Sequence, residues 1–272
     1  MDDRQRRLWL VAGTGDGPPL ARQLLDRGWW LRVSVVGAAA VAAYPRHPRL
    51  EFRVGALGEG DVLAARLAAW PCRWLIDASH PFAVRISHAL DRVCAGVGQP
   101  LLRLQRPLLP AGPARVIADL QHLTPLLTAQ DDLLLAIGQR HLAKALGHSV
   151  AGRHATRLLP TPTSLATALA LGVAADRIAL LRPGGDSSLE RALCRRWQTT
   201  TILCRQSGSP AEATWHQVSR DLGLRLVLLA RPDSVGSPGT LDLGRLLDQV
   251  GEAPLSGSKD WLDQAARVTG EN

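Results

Sequence analysis

The chain has 272 residues, 46% of them hydrophobic, with a formal net charge of +8 and a pI near 10.5. That length accommodates one large domain or two of about 100–150 residues, and the hydrophobic fraction argues against disorder. The basic balance points to anionic partners. Nucleic acid fits poorly, because aromatics for base stacking are few and the densest basic cluster, Arg4, Arg6 and Arg7, is a short terminal run. No segment approaches the roughly 18 apolar residues of a membrane span, and Leu8–Ala12 is too short for a signal-peptide core. Cys72, Cys94, Cys194 and Cys204 form no C-x-x-C pair and no zinc-ligand spacing. They read as reduced thiols of a cytoplasmic protein.

Short apolar runs alternate with helix-period segments, the pattern of a parallel sheet with crossover helices. LWLVAG (8–13) predicts a strand and Pro18–Asp26 a helix, followed by strands at 31–37 and 50–57. A helix at 60–69, a strand at 73–77, a helix at 82–95 and a strand at 100–107 complete a first lobe, residues 1–110. The proline-rich segment 107–116 marks a boundary or crossover. A second lobe, 111–232, repeats the alternation: strands at 132–138, 155–162, 177–184, 199–205 and 224–232, with helices at 141–146, 164–171, 189–197 and 212–222. Residues 233–272 read as a polar, peripheral tail with helices at 241–250 and 260–268. The expectation is an α/β protein of two doubly wound, Rossmann-like lobes with mostly parallel sheets and a cleft between them.

Four stretches carry candidate chemistry. Gly13, Gly15 and Gly17 sit where the first strand becomes a helix, so backbone N–H groups and the helix dipole can meet a phosphate, with Thr14 adding a hydroxyl. The spacing departs from G-x-G-x-x-G, since Pro18 stands at the third glycine position, and a tight turn without ligand is the alternative. The second strand ends in Ser34 and small residues with no carboxylate, so a bound dinucleotide would meet no charge repelling a 2′-phosphate; Arg46 is a candidate partner for it. In IDASHPFA, Asp77 ends a strand and Ser79 or His80 can cap the next helix, with Pro81 in its first turn. The same residues place an imidazole and a carboxylate where acid–base or orienting groups would stand. His88 has no partner ligands at matching spacing, so no metal site is expected. Arg103 and Arg106 in RLQRP suit carboxylates or are solvated strand ends. Ser207 and Gly208 in CRQSGSP form a second turn of anion-binding type or an ordinary one.

GTGDGPPLARQL, IDASHPFA, LLRLQRP, IGQR, LLPTP and ILCRQSG before LLARP stand in one order over about residues 8–232. In that order the chain resembles the precorrin-6A and cobalt-precorrin-6A reductases of corrin biosynthesis. It has Ala12-Gly13-Thr14-Gly15-Asp16 where that family opens G-G-T-x-E, Arg182-Pro183-Gly184-Gly185 at a G-P-F-type turn, and Cys204-Arg205-Gln206-Ser207-Gly208 at T-K-x-S-G. The resemblance implies a cytoplasmic, NADPH-dependent oxidoreductase that reduces a ring double bond of precorrin-6A or its cobalt form, within cobalamin (tetrapyrrole) biosynthesis. It places NADPH on Gly13, Thr14, Gly15, Asp16 and Gly17 with Ser34. On that reading His80 is the candidate proton donor, oriented by Asp77, with a purely structural role for both as the alternative. Ser79, Arg103, Arg106, Arg205, Ser207 and Gly208 are the candidates for the corrinoid substrate, the arginines holding its carboxylates or cofactor phosphates. A reductase of another anionic substrate, or a non-enzymatic anion-binding module, are the rival readings.

Overall fold

Two six-stranded parallel sheets organise the chain in a computed structural model, which describes residues 3–182, 186–232 and 240–254. The polypeptide divides into two units, Met1–Gln105 with Ser234–Asn272, and Arg106–Asp233. In chain order the first unit contributes β1 (Arg7–Ala12), α1 (Gly17–Asp26), β2 (Trp30–Val35), β3 (Leu50–Val54), α2 (Gly60–Ala69), β4 (Trp74–Ala78), α3 (Val84–Val97) and β5 (Leu101–Leu104). The second contributes β6 (Arg115–Ile117), β7 (Asp132–Ala136), α4 (Gln139–Gly147), β8 (Arg153–Leu158), α5 (Pro162–Ala170), β9 (Ile178–Leu180), α6 (Ser188–Arg196), β10 (Thr201–Arg205), α7 (Pro210–Leu222) and β11 (Arg225–Leu229). The chain then returns to the first unit with β12 (Thr240–Leu241) and α8 (Leu243–Val250).

The first sheet runs β12-β5-β4-β1-β2-β3 and the second β6-β11-β10-β7-β8-β9. Every pairing in both is parallel. Strands of such sheets are covered on both faces, which is why RLWLVA reads as an unbroken apolar run. Leu8, Leu10 and Ala12 pack with Leu20, Leu24 and Leu246 on one face, while Trp9 and Val11 pack with Leu63, Leu90 and Cys94 on the other. The second unit buries Leu134, Ile202, Trp197, Trp215, Val218 and Leu228 in its own core. The four cysteines are free and buried, and burial pushes each thiol up, away from nucleophilic use. No helix among the described residues is long and apolar enough to cross a membrane.

Three expectations are corrected. The tail is not peripheral over its described part: β12 pairs with β5, and Leu246, Leu247 and Val250 are buried in the first core. Further hydrogen bonds tie it down, from the Trp29 indole to the Gly251 carbonyl and from the Ala253 N–H to the Arg27 carbonyl. The boundary segment ends by forming β6, a three-residue strand too short for periodicity to reveal. The helix expected from Phe82 starts at Val84 with Ala83 at its N-cap, so neither Ser79 nor His80 caps it. The helix expected at 260–268 and the residues Pro183, Gly184 and Gly185 lie outside the described residues.

Candidate functional site

Ligands of open parallel sheets bind beyond the carboxyl ends of the strands, where strand order reverses. In the first sheet that point is β1, flanked by β2 and β4. The turn after β1 and the turn after β4 meet there: a Cβ on Gly13 would lie 3.4 Å from the His80 backbone nitrogen and from the Ser79 Cα. The glycine turn and the DASHPF turn therefore adjoin and make one candidate site.

Within the glycine turn, the Asp16 N–H donates to the Thr14 hydroxyl (3.2 Å), which in turn donates to the Asp16 carboxylate (3.1 Å). The start of α1 is poorer in donors than the sequence pattern suggests. The Gly17 N–H points to the Thr14 carbonyl, Pro18 and Pro19 have no N–H, and the Leu20 N–H serves the Asp16 carbonyl. The N–H groups of Thr14 and Gly15 are left for a ligand, with no acidic residue in the first turn of α1. Gly17 has no room for a side chain, which would strike the Tyr44 hydroxyl and stand 3.0 Å from the Ala12 methyl.

The β4 turn is held by its own side chains. Asp77, 2% exposed, accepts the Ser79 N–H (2.9 Å) and the Ser87 hydroxyl (2.7 Å). His80 Nδ1 accepts the Phe82 N–H (3.1 Å), and the His80 carbonyl accepts the Ala83 N–H (2.7 Å). The imidazole tautomer is thus set by Phe82, with the ring proton on Nε2, and not by Asp77 as the sequence suggested. The Ser79 hydroxyl lies 3.4 Å from that of Ser87.

Arg103 stands inside β5, beside Asp77 in register, and is 8% exposed. Its guanidinium pairs with the Asp77 carboxylate at 3.7 Å, so this arginine neutralises a buried acid instead of reaching out to substrate. Ser34 is likewise a core group: it is 3% exposed and accepts the Trp9 indole N–H at 2.8 Å. Beyond the end of β2 stand exposed Val36, Gly37 and Ala38, with no carboxylate.

In the second sheet the reversal falls at β7, flanked by β8 and β10. Arg205, the last residue of β10, lies against Gly138 at the start of α4, its Nη2 3.5 Å from where a Cβ would be. Burial pulls the Arg205 pKa down to about 10, with Arg140 also lowering it. His141 is lowered by burial and then by Arg205, Arg140 and Lys144. Sequence reasoning missed Arg140 and His141, although they stand in the quoted IGQR stretch and its next residue. Arg106 is placed with this turn: its carbonyl accepts from Arg231 Nη1 (2.7 Å), and its Cβ would lie 3.1 Å from a Cβ on Gly208. Gly208 has φ +67° and faces the Pro107 carbonyl so closely that only glycine fits.

The turn at Ser207 and Gly208 does bind an anion, but one that the chain supplies. Both N–H groups donate to the Glu212 carboxylate at 2.6 Å. The signal was the capping box Ser209-Pro210-Ala211-Glu212, in which the Ser209 hydroxyl also accepts the Glu212 N–H (3.2 Å). Those backbone donors are therefore closed to a substrate carboxylate.

The family model for precorrin-6x reductase CbiJ/CobK matches residues 7–250 of the chain. A cobalt-precorrin-6A reductase of Synechocystis sp. is 33% identical over 254 residues, covering 90% of this chain and 96% of that protein. A precorrin-6A reductase of Sinorhizobium sp. is 29% identical over 247 residues, covering 87% and 90%. The solved structure of a CobK precorrin-6A reductase superposes with a TM-score of 0.76 at 25% identity, covering 92% of this chain and 99% of that one.

Proposed function

The chain belongs to the precorrin-6x reductase family, an oxidoreductase family of cobalamin biosynthesis, and we propose that it uses NADPH to reduce one ring double bond of precorrin-6A or its cobalt form. The observation that carries the reading is the junction of the Gly13–Gly17 turn with the Asp77–Phe82 turn at the first sheet's reversal point. The residues present fit the cofactor. The Thr14 and Gly15 N–H groups suit a pyrophosphate, and the uncharged exit of β2 admits a 2′-phosphate. Gly13, Thr14, Gly15, Asp16 and Gly17 are retained as the cofactor turn; Ser34 is not, because its hydroxyl serves Trp9.

NADPH, when bound, supplies the hydride. The protein's part is to orient, exclude water and provide one proton, so that the macrocycle gains two hydrogens. With Nδ1 accepting the Phe82 N–H, His80 carries its ring proton on Nε2, and Ser79 precedes it in the turn. Giving up a proton requires the imidazolium, formed by protonating Nδ1 in place of the Phe82 hydrogen bond. Asp77 acts on the shape of the turn. In the second unit Arg205, with Arg140 and His141, suits the acetate and propionate groups of a corrin precursor, and Arg106 lies at the neighbouring turn. A basic chain of this kind suits a substrate with many carboxylates.

The test is anaerobic incubation with NADPH and, separately, precorrin-6A and cobalt-precorrin-6A. A two-hydrogen mass gain on either is the expected result and identifies the physiological form. No gain on both removes the reading and leaves a reductase of another anionic compound.

A further inference from the structure

Tyr44 follows the short 3₁₀ segment Ala38–Ala43 that leads away from β2, and its ring meets Phe52 edge-on, centroids 5.3 Å apart at 71°. Its hydroxyl rests on Gly17, the first residue of α1. It makes no hydrogen bond to any described residue. Beside it, the helix start has lost the donors that such a terminus normally presents, through Pro18, Pro19 and the inward bonds of Gly17 and Leu20.

We propose that the Tyr44 phenol replaces those missing donors, its O–H hydrogen-bonding the pyrophosphate of the dinucleotide held on the Gly13–Gly17 turn. The assignment rests on the cofactor reading given above. Burial pushes the phenol up to about 12, so the group stays a neutral donor and never presents a phenolate to a phosphate. Gly17 acquires a reason beyond a tight turn: any side chain there would displace this hydroxyl. The pyrophosphate is assigned over the 2′-phosphate because the hydroxyl sits at α1 itself and not at the exit of β2.

Tyr44 is the chain's one tyrosine, so its ring gives a single, self-assigned signal in tyrosine-labelled protein. Titration of the parent with NADPH, and with NADH, is expected to shift that signal in both cases. Tyr44→Phe keeps the ring against Phe52 and Gly17 and removes only the hydroxyl. Its dissociation constants for NADPH and NADH are expected to rise together by about tenfold, the scale of one hydrogen bond to a charged group, with the melting temperature unchanged. Binding within twofold of the parent overturns the proposal, as does a static tyrosine signal or a loss confined to NADPH. A parent that binds neither nucleotide saturably removes the cofactor reading itself, which separates the two failures.

Discussion

The two sheets reverse strand order in the same way, yet the turns at their reversal points solve the anion problem oppositely. In the first unit β4 carries an acid, Asp77, one residue before its end, already matched by Arg103 on the neighbouring strand, and the adjoining glycine turn leaves backbone N–H groups open. In the second unit β10 ends in a base, Arg205, and the adjoining backbone N–H groups are filled by Glu212. One site therefore offers main-chain donors suited to phosphates, and the other offers cationic side chains suited to carboxylates. Shared topology fixes where a ligand can sit; which groups the chain has already satisfied internally decides what kind of ligand it is.

Substitutions can break this contrast, and the largest effect is expected at His80. His80→Asn keeps a side-chain acceptor for the Phe82 N–H, so the turn survives while Nε2 is lost. Single-turnover NADPH oxidation should fall by about 10²–10⁴-fold if the imidazole delivers the proton, and a fall under tenfold would reduce His80 to a turn former. Asp77→Ala comes next. It strands the buried Arg103 charge and releases Ser79 and Ser87, and urea unfolding should show a loss of about 3–5 kcal/mol. A loss below about 1 kcal/mol would mean that Arg103 finds water, and would return it to the set of substrate ligands. The smallest effect is expected for Glu212→Ala, at about 2 kcal/mol, through two unpaired N–H groups. Sulfate should raise the melting temperature of this variant more than that of the parent. Equal responses would show that the second turn has no anion-binding geometry of its own.

The parts of this contrast were unequally legible in the sequence. Strands buried on both faces announce themselves as apolar runs, so β1, β4 and β10 and the turns after them could be located without coordinates. The Asp77–Arg103 pair could not, because it depends on β4 and β5 lying side by side in a particular register, a long-range fact. Glu212 was legible in principle, since S-P-A-E is a capping box, but its reach back to Ser207 and Gly208 is a matter of turn geometry. Tyr44 lies after a 3₁₀ segment with no periodicity to fix its direction. Strands as short as β6 and β12 carry no pattern at all.

The pairing of Thr240 with Arg103 also bears on how the chain is made. The outermost strand of the first sheet is encoded after the whole second unit, so a ribosome must release Arg106–Asp233 before β5 can meet its last neighbour. Until then β5 is an open edge, with Leu102 and Leu104 lacking the α8 residues Leu246, Leu247 and Val250 that complete their core. The order of synthesis thus favours the second unit reaching its native state first, with the first remaining a sheet with an unpaired edge that waits for the carboxyl-terminal segment. Closure of the first unit is then expected to be the last tertiary event, and the long loop it spans to make it the slow one.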